Sequence, residues 1–188
     1  MENKLIVNTK QFVKAKFIEH PHHSFNDWNI MYNHSIKVYE IAMQLAKNVS
    51  CDETVVALSA LLHDIGKTYP ADAMTLHKKH EEFNVLIARP FIEQVNLSEA
   101  QRELLEETLL EKSNSTEAKI VRDADILAFY ADKKLHFLFL KWAQEKNLPQ
   151  SIEKKLNNYS KLHFEQSKTM GKKWFDEMKR EWNQEQTT

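Results

Sequence analysis

Apolar positions recur three and four residues apart along most of this chain, the spacing of one helix face. Between Asn33 and Lys47 the stripe is Val38, Ile41, Ala42 and Leu45, which predicts a helix with one buried side. Ser50-Cys51-Asp52-Glu53 has capping-box form, with the Ser50 oxygen accepting from an orphan amide while Glu53 reaches back. Behind it runs TVVALSALLHDI, apolar on nearly every face, which places that helix deep in the core. Gly66 follows where a left-handed C-cap would end it. Ser98-Glu99-Ala100-Gln101 and Asn114-Ser115-Thr116-Glu117 have the form of two more helix starts. Leu76 to Val95 is helical in pattern, with Pro90 expected to kink or break it. Pro149 divides an apolar helix, Lys134 to Gln144, from a mixed stretch ending near Glu185. Strand character is confined to Leu5-Ile6-Val7, so the class is all-α.

Composition strengthens that reading. The 188 residues hold two glycines and four prolines, about 3% of the chain against about 12% in average usage. Long helices with few corners satisfy that count, and sandwiches or doubly wound folds do not. With Gly66 and Gly171 as the only glycines, neither a G-x-G-x-x-G nor a G-x-x-x-x-G-K loop can be written, which removes nucleotide binding of the Rossmann or P-loop kind. No repeat or linker interrupts the chain, so residues 1–188 are read as one domain. The net charge of −1 implies no global attraction to nucleic acid or anionic lipid. One cysteine, Cys51, excludes an intrachain disulfide, and no apolar run approaches a membrane span. MENKLIVNTKQF has no cleavable signal pattern. A soluble cytoplasmic protein is expected.

Polar groups inside the apolar stripes carry the chemistry. His34 is in register with Val38, Ile41 and Leu45, which aims its ring at the core, where its nitrogens need partners. His63 and Asp64 end the most apolar helix. A carboxylate there costs several kcal/mol unless a cation or strong donors compensate it. A divalent metal would do so, and imidazole plus carboxylate suits a first-row transition ion. Pairing with Lys67 or an arginine is the purely structural alternative. In KIVRDADILAFY, Asp123 and Asp125 lie about 200° apart on a helix, so one metal cannot take both. Periodicity does not choose between them.

The ordered series of His34, ALLHDIGK ending at Lys67, and VRDAD ending at Asp125 resembles the HD-domain superfamily of metal-dependent phosphohydrolases, in its HDIG variant. NHSIKVYEIAMQLA, HEEFNVLIARPFIE and EAKIVRDADILAFY extend the likeness over about residues 30 to 131, with helices 132–185 completing the domain. The resemblance implies a compact helical bundle in which His34, His63, Asp64 and Asp125 ligate one divalent cation (Mn, Fe, Co, Ni, Mg or Zn). It makes Asp123 a supporting residue, ion-paired with Arg122 or Lys119. It sets Lys67 near substrate phosphate, and places Asp64, Lys67 and His80 in the catalytic roles. The implied activity is hydrolysis of a nucleotide or other small phosphate ester or anhydride by a metal-activated water. A metal-containing nucleotide-binding module without turnover is the alternative, and an interaction domain with a structural metal is a further one.

Two departures from the family pattern sharpen this expectation. Nucleotidase and alarmone-hydrolase branches carry a glutamate three residues after the Asp of the doublet, where this chain has Lys67. SEAQRELLEETLLEKS, before the final aspartate, has none of the extra histidine of dinuclear branches, so one metal is favoured. His77 shares a helix face with His80 and is a weaker candidate for the site. His20, His22 and His23 around Pro21 read as an N-terminal loop. Trp142, Trp174, Trp182, Phe137, Phe139 and Phe164 read as core or homodimer contacts. The interspersed charges of KTMGKKWFDEMKREW read as a solvated helix rather than a nucleic-acid surface.

Overall fold

The computed structural model describes residues 3–20 and 27–185. Among them are nine α-helices and no strand. They divide into two compact units, residues 1–121 and 122–188, and the boundary falls inside one continuous helix.

In the first unit, α1 (Lys4–Glu19) begins at Asn3, whose side chain accepts from the Leu5 amide at 2.9 Å. The Leu5–Val7 run is therefore helical and not a strand. Three apolar residues are too short a run to distinguish the two periods, and the longer pattern decides: Ile6, Thr9, Val13 and Phe17 form the buried face. Helix α2 (Trp28–Ala46) starts earlier than the stripe implied, because the Asp27 carboxylate caps it at the Asn29 amide. Helix α3 (Glu53–Leu62) buries all eight residues from Val55 onward. Its cap is Asp52 instead of Ser50: one Asp52 oxygen accepts from Thr54 and Val55, and the other from Gln101 Nε2 at 2.8 Å. The Asp52 amide donates to Glu117, which takes the reciprocal part assigned to Glu53.

Helix α4 (Ala73–Ile92) is not broken at Pro90 and runs two residues beyond it. Arg102 ties down the turn that follows, its guanidinium donating to the carbonyl of Ile92, the last residue of α4, and to those of Val95 and Leu97 beyond it. Helix α5 (Glu99–Leu109) starts where the sequence places it, and Ser98 and Gln101 form a capping box there. Helix α6 (Thr116–Ala131) starts where Ser115 accepts from the Ala118 amide. Val13, Phe17, Met31, Leu58, Leu61, Ile65, Ile92 and Leu105 make up much of this unit's core.

The second unit holds the rest of α6 with α7 (Lys133–Glu145), α8 (Pro149–Asn157) and α9 (Glu165–Glu185). Asn147, at φ 53°, turns the chain after α7, and Pro149 opens α8 as its first residue. Trp182 is fully buried, stacked on Phe139 and edge-on to Phe129. Phe137 is not part of that core, since 49% of it is exposed. It sits one position off the buried Leu135–His136–Leu140 face of α7. Asp123 has no exposed surface. It accepts from the backbone amides of His163 and Phe164, and from His163 Nδ1 at 2.8 Å, just ahead of α9.

Candidate metal centre

In the first unit α2 and α3 bring two imidazoles together. His34 lies on the buried face of α2. His63 is the C-cap of α3, and its Nδ1 is 2.9 Å from the Ala60 carbonyl oxygen. An Nδ1–H donor to that carbonyl puts the ring's lone pair on Nε2, the tautomer a metal ligand requires. The two rings lie 5.3 Å apart, edge to face, with ligand nitrogens within 4.8 Å of each other.

Asp64 is the focus of the cluster. The chain turns there from α3 into a short 3-10 turn, Ile65–Thr68. Its buried Oδ2 lies 2.6 Å from Lys67 Nζ, 3.5 Å from His63 Nε2 and 4.0 Å from His34 Nε2. Burial pushes the Asp64 carboxyl up. Lys67, His63, His80 and His34 together outweigh it, and hold the group well below the usual carboxylate range. Lys67 is thus an ion-pair partner of Asp64, and a third of its side chain remains in solvent.

His80, on α4, is also held below its ordinary value: burial lowers its pKa and Asp64 partly offsets this. Its Nδ1 is buried with no hydrogen-bond partner among the described residues. His80, Glu81 and Glu111 each offer a ligand atom within 4.8 Å of the others. His77 lies in α4, but its side chain is outside the described residues, as are His22 and His23. Asp125 is carried by the second unit, half-buried on α6. There burial raises the Tyr130 phenol, and the Asp125 charge adds to that rise. The other aspartate of VRDAD, Asp123, has His163 and Phe164 as partners in place of the ion pair expected with Arg122 or Lys119.

Gly66 is not a left-handed cap, for no glycine has positive φ among the described residues. It is required by space: an added Cβ would collide with the His80 carbonyl oxygen and lie 2.6 Å from Asn84 N. Asn84 is the residue that sequence reasoning missed. Its signal was a lone amide inside an apolar helical run, one turn after His80.

The donor set of two imidazoles and a carboxylate, with one tautomer already fixed, fits a first-row divalent cation. The model of the HD domain matches residues 31–130, just over half of the chain, and takes in His34, His63, Asp64 and Asp125. The crystal structure of an HD-superfamily hydrolase from Bacillus thuringiensis superposes with a TM-score of 0.70. That match covers 95% of this chain and 93% of the other at 17% identity, so it speaks to the fold. A tRNA (cytidine(56)-2'-O)-methyltransferase of Picrophilus torridus is 44% identical over 45 residues, 24% of this chain and 13% of that enzyme. Among the described residues no helix is long and apolar enough to cross a membrane. The chain, all-α in its described residues, belongs to the HD domain family.

Proposed function

We propose that this protein is a metal-dependent phosphohydrolase acting on a nucleotide or another small phosphate ester or anhydride. The carrying observation is the convergence of His34, His63 and Lys67 on one buried carboxylate, Asp64. His34, His63 and Asp64 would hold the cation, with Asp125 the fourth ligand by family resemblance. A bound divalent cation supplies Lewis acidity, which polarises a phosphoryl oxygen and makes water acidic near neutral pH. Asp64 has a second carboxylate oxygen that can accept a hydrogen bond from the attacking water and orient it. Lys67, already tethered to the site, supplies positive charge for a non-bridging phosphate oxygen. His80, whose buried Nδ1 has no partner among the described residues, serves as a substrate hydrogen-bond partner, and the leaving group takes its proton from solvent.

The test is phosphate release from nucleotides and simple phosphate esters, with Mn, Mg, Co or Ni, with and without added pyrophosphatase. Asp64→Ala, purified identically, runs beside the wild type. Turnover that requires added cation and falls by about 100-fold or more in the variant is expected. Equal rates in the two folded proteins would overturn the hydrolase reading and leave a nucleotide-binding module without turnover.

A further inference from the structure

We infer that Asn84 is a positioning residue of the metal centre, which sets the direction of the His63–Asp64 doublet from behind. This rests on the metal-site reading above. Asn84 lies on α4 and is 1% exposed. Its Oδ1 accepts from the Gly66 amide at 2.7 Å. Its Nδ2 donates to the His63 carbonyl oxygen and, at 3.3 Å, to that of Leu109. Each of these groups stands at a helix terminus, where backbone groups run past the ladder. His63 is the C-cap of α3, Leu109 closes α5, and Gly66 lies in the first turn of the 3-10 segment.

One amide therefore spans the doublet, bonding one residue ahead of Asp64 and one two residues after it. Holding the His63–Asp64 peptide plane on one side and the Ile65–Gly66 plane on the other brackets Asp64, and restrains the exit vectors of the His63 ring and the Asp64 carboxylate. Only a side chain that both donates and accepts from the same planar group can do this. Aspartate keeps the shape and the acceptor but loses both donors. The missing Cβ at Gly66 has the same cause, since a methyl there would lie 2.8 Å from Asn84 Oδ1 and prevent the approach. The hydrogen bonds of Asn84 go to backbone groups around the doublet, so its effect is read as ligand geometry.

Titration of the full chain with Co2+, followed by its visible absorption bands, reads that geometry directly. Asn84→Asp and Asn84→Ser are compared with wild type and with Val13→Ala, a buried apolar position on α1 whose side chain makes no hydrogen bond to the doublet. The expected result is Co2+ affinity 10- to 100-fold lower in both Asn84 variants, with altered band positions. Val13→Ala should keep wild-type affinity and spectrum despite its own loss of melting temperature. If Asn84→Asp does not fold, the smaller Asn84→Ser carries the comparison. A folded Asn84 variant with wild-type affinity and spectrum overturns the positioning role alone. Wild-type protein that binds no Co2+ overturns the metal-site reading itself.

Discussion

Asp64 and Asp123 are both buried carboxylates on apolar helical stretches, and each has a histidine beside it, yet their partners differ in kind. Asp64 is surrounded by side chains: an ammonium at 2.6 Å and imidazoles at 3.5 and 4.0 Å. Asp123 is bound chiefly by backbone, taking the His163 and Phe164 amides, with the His163 ring as a third donor. Side chains can turn away and let a cation replace them. Amides at the head of a helix cannot leave without unwinding it. The same residue type thus sits among exchangeable partners in the first unit and acts as a fixed joint in the second.

The largest effect should come from the turn that presents Asp64. Gly66→Ala drives a methyl into α4 backbone, which cannot yield as a side chain does, and about 3–5 kcal/mol of stability should be lost in urea unfolding. The two aspartates should then separate in a metal-free melt. Asp123→Ala strands donors at the start of α9 and should cost about 3 kcal/mol. Asp64→Ala lets the partly exposed Lys67 return to water while removing a buried charge, and should cost no more than about 1 kcal/mol. Added Mn2+ should reverse the ranking: it raises the melting temperature of Asp123→Ala as it does the wild type, and leaves Asp64→Ala unmoved. A wild-type-like shift in Asp64→Ala would erase the distinction between the two carboxylates.

Smaller effects are expected from the second unit. Gly171→Ala, on α9, meets the end of the Leu127 side chain instead of backbone. Leu127 can rotate and the helix gains a better former, so the change should stay within about 1 kcal/mol. Glu181 is held below the usual carboxylate range, first by its hydrogen bond from Lys133 and then by His136, against the burial that raises it. A depressed pKa stabilises above the unfolded value of 4.5, and that stabilisation is lost as pH falls through the folded value. Glu181→Gln should flatten the acid limb of the stability curve by a few tenths of a kcal/mol, small because this side chain is largely solvated.

How much of this was legible depended on where the deciding partner lay in the chain. His34 was visible because periodicity sets it on a buried face, and His63 and Asp64 because they end the most apolar run of the chain. The all-α class followed from the same stripes and from the shortage of glycine. The origin of α3 was misplaced by two residues, since Ser50 and Asp52 are both good caps and the choice was made by Gln101 and Glu117, distant in sequence. Gly66 was recognised as special, but for the wrong reason. Local rules know glycine for its dihedral freedom, whereas here it admits α4, and only the folded chain shows that approach. Asn84 was missed for a related cause: its three partners are spread from residue 63 to residue 109.

The clamp at Asn84 also sets a clock for the doublet. The Gly66 N–H is sealed beneath a side chain that solvent scarcely reaches, so its hydrogen exchanges for deuterium only when α4 lifts from the turn. Lifting α4 simultaneously releases the carbonyls at the ends of α3 and α5. The ligand turn therefore has no private mode of fraying; it opens when three helices part company, and its protection should track theirs rather than that of a surface loop.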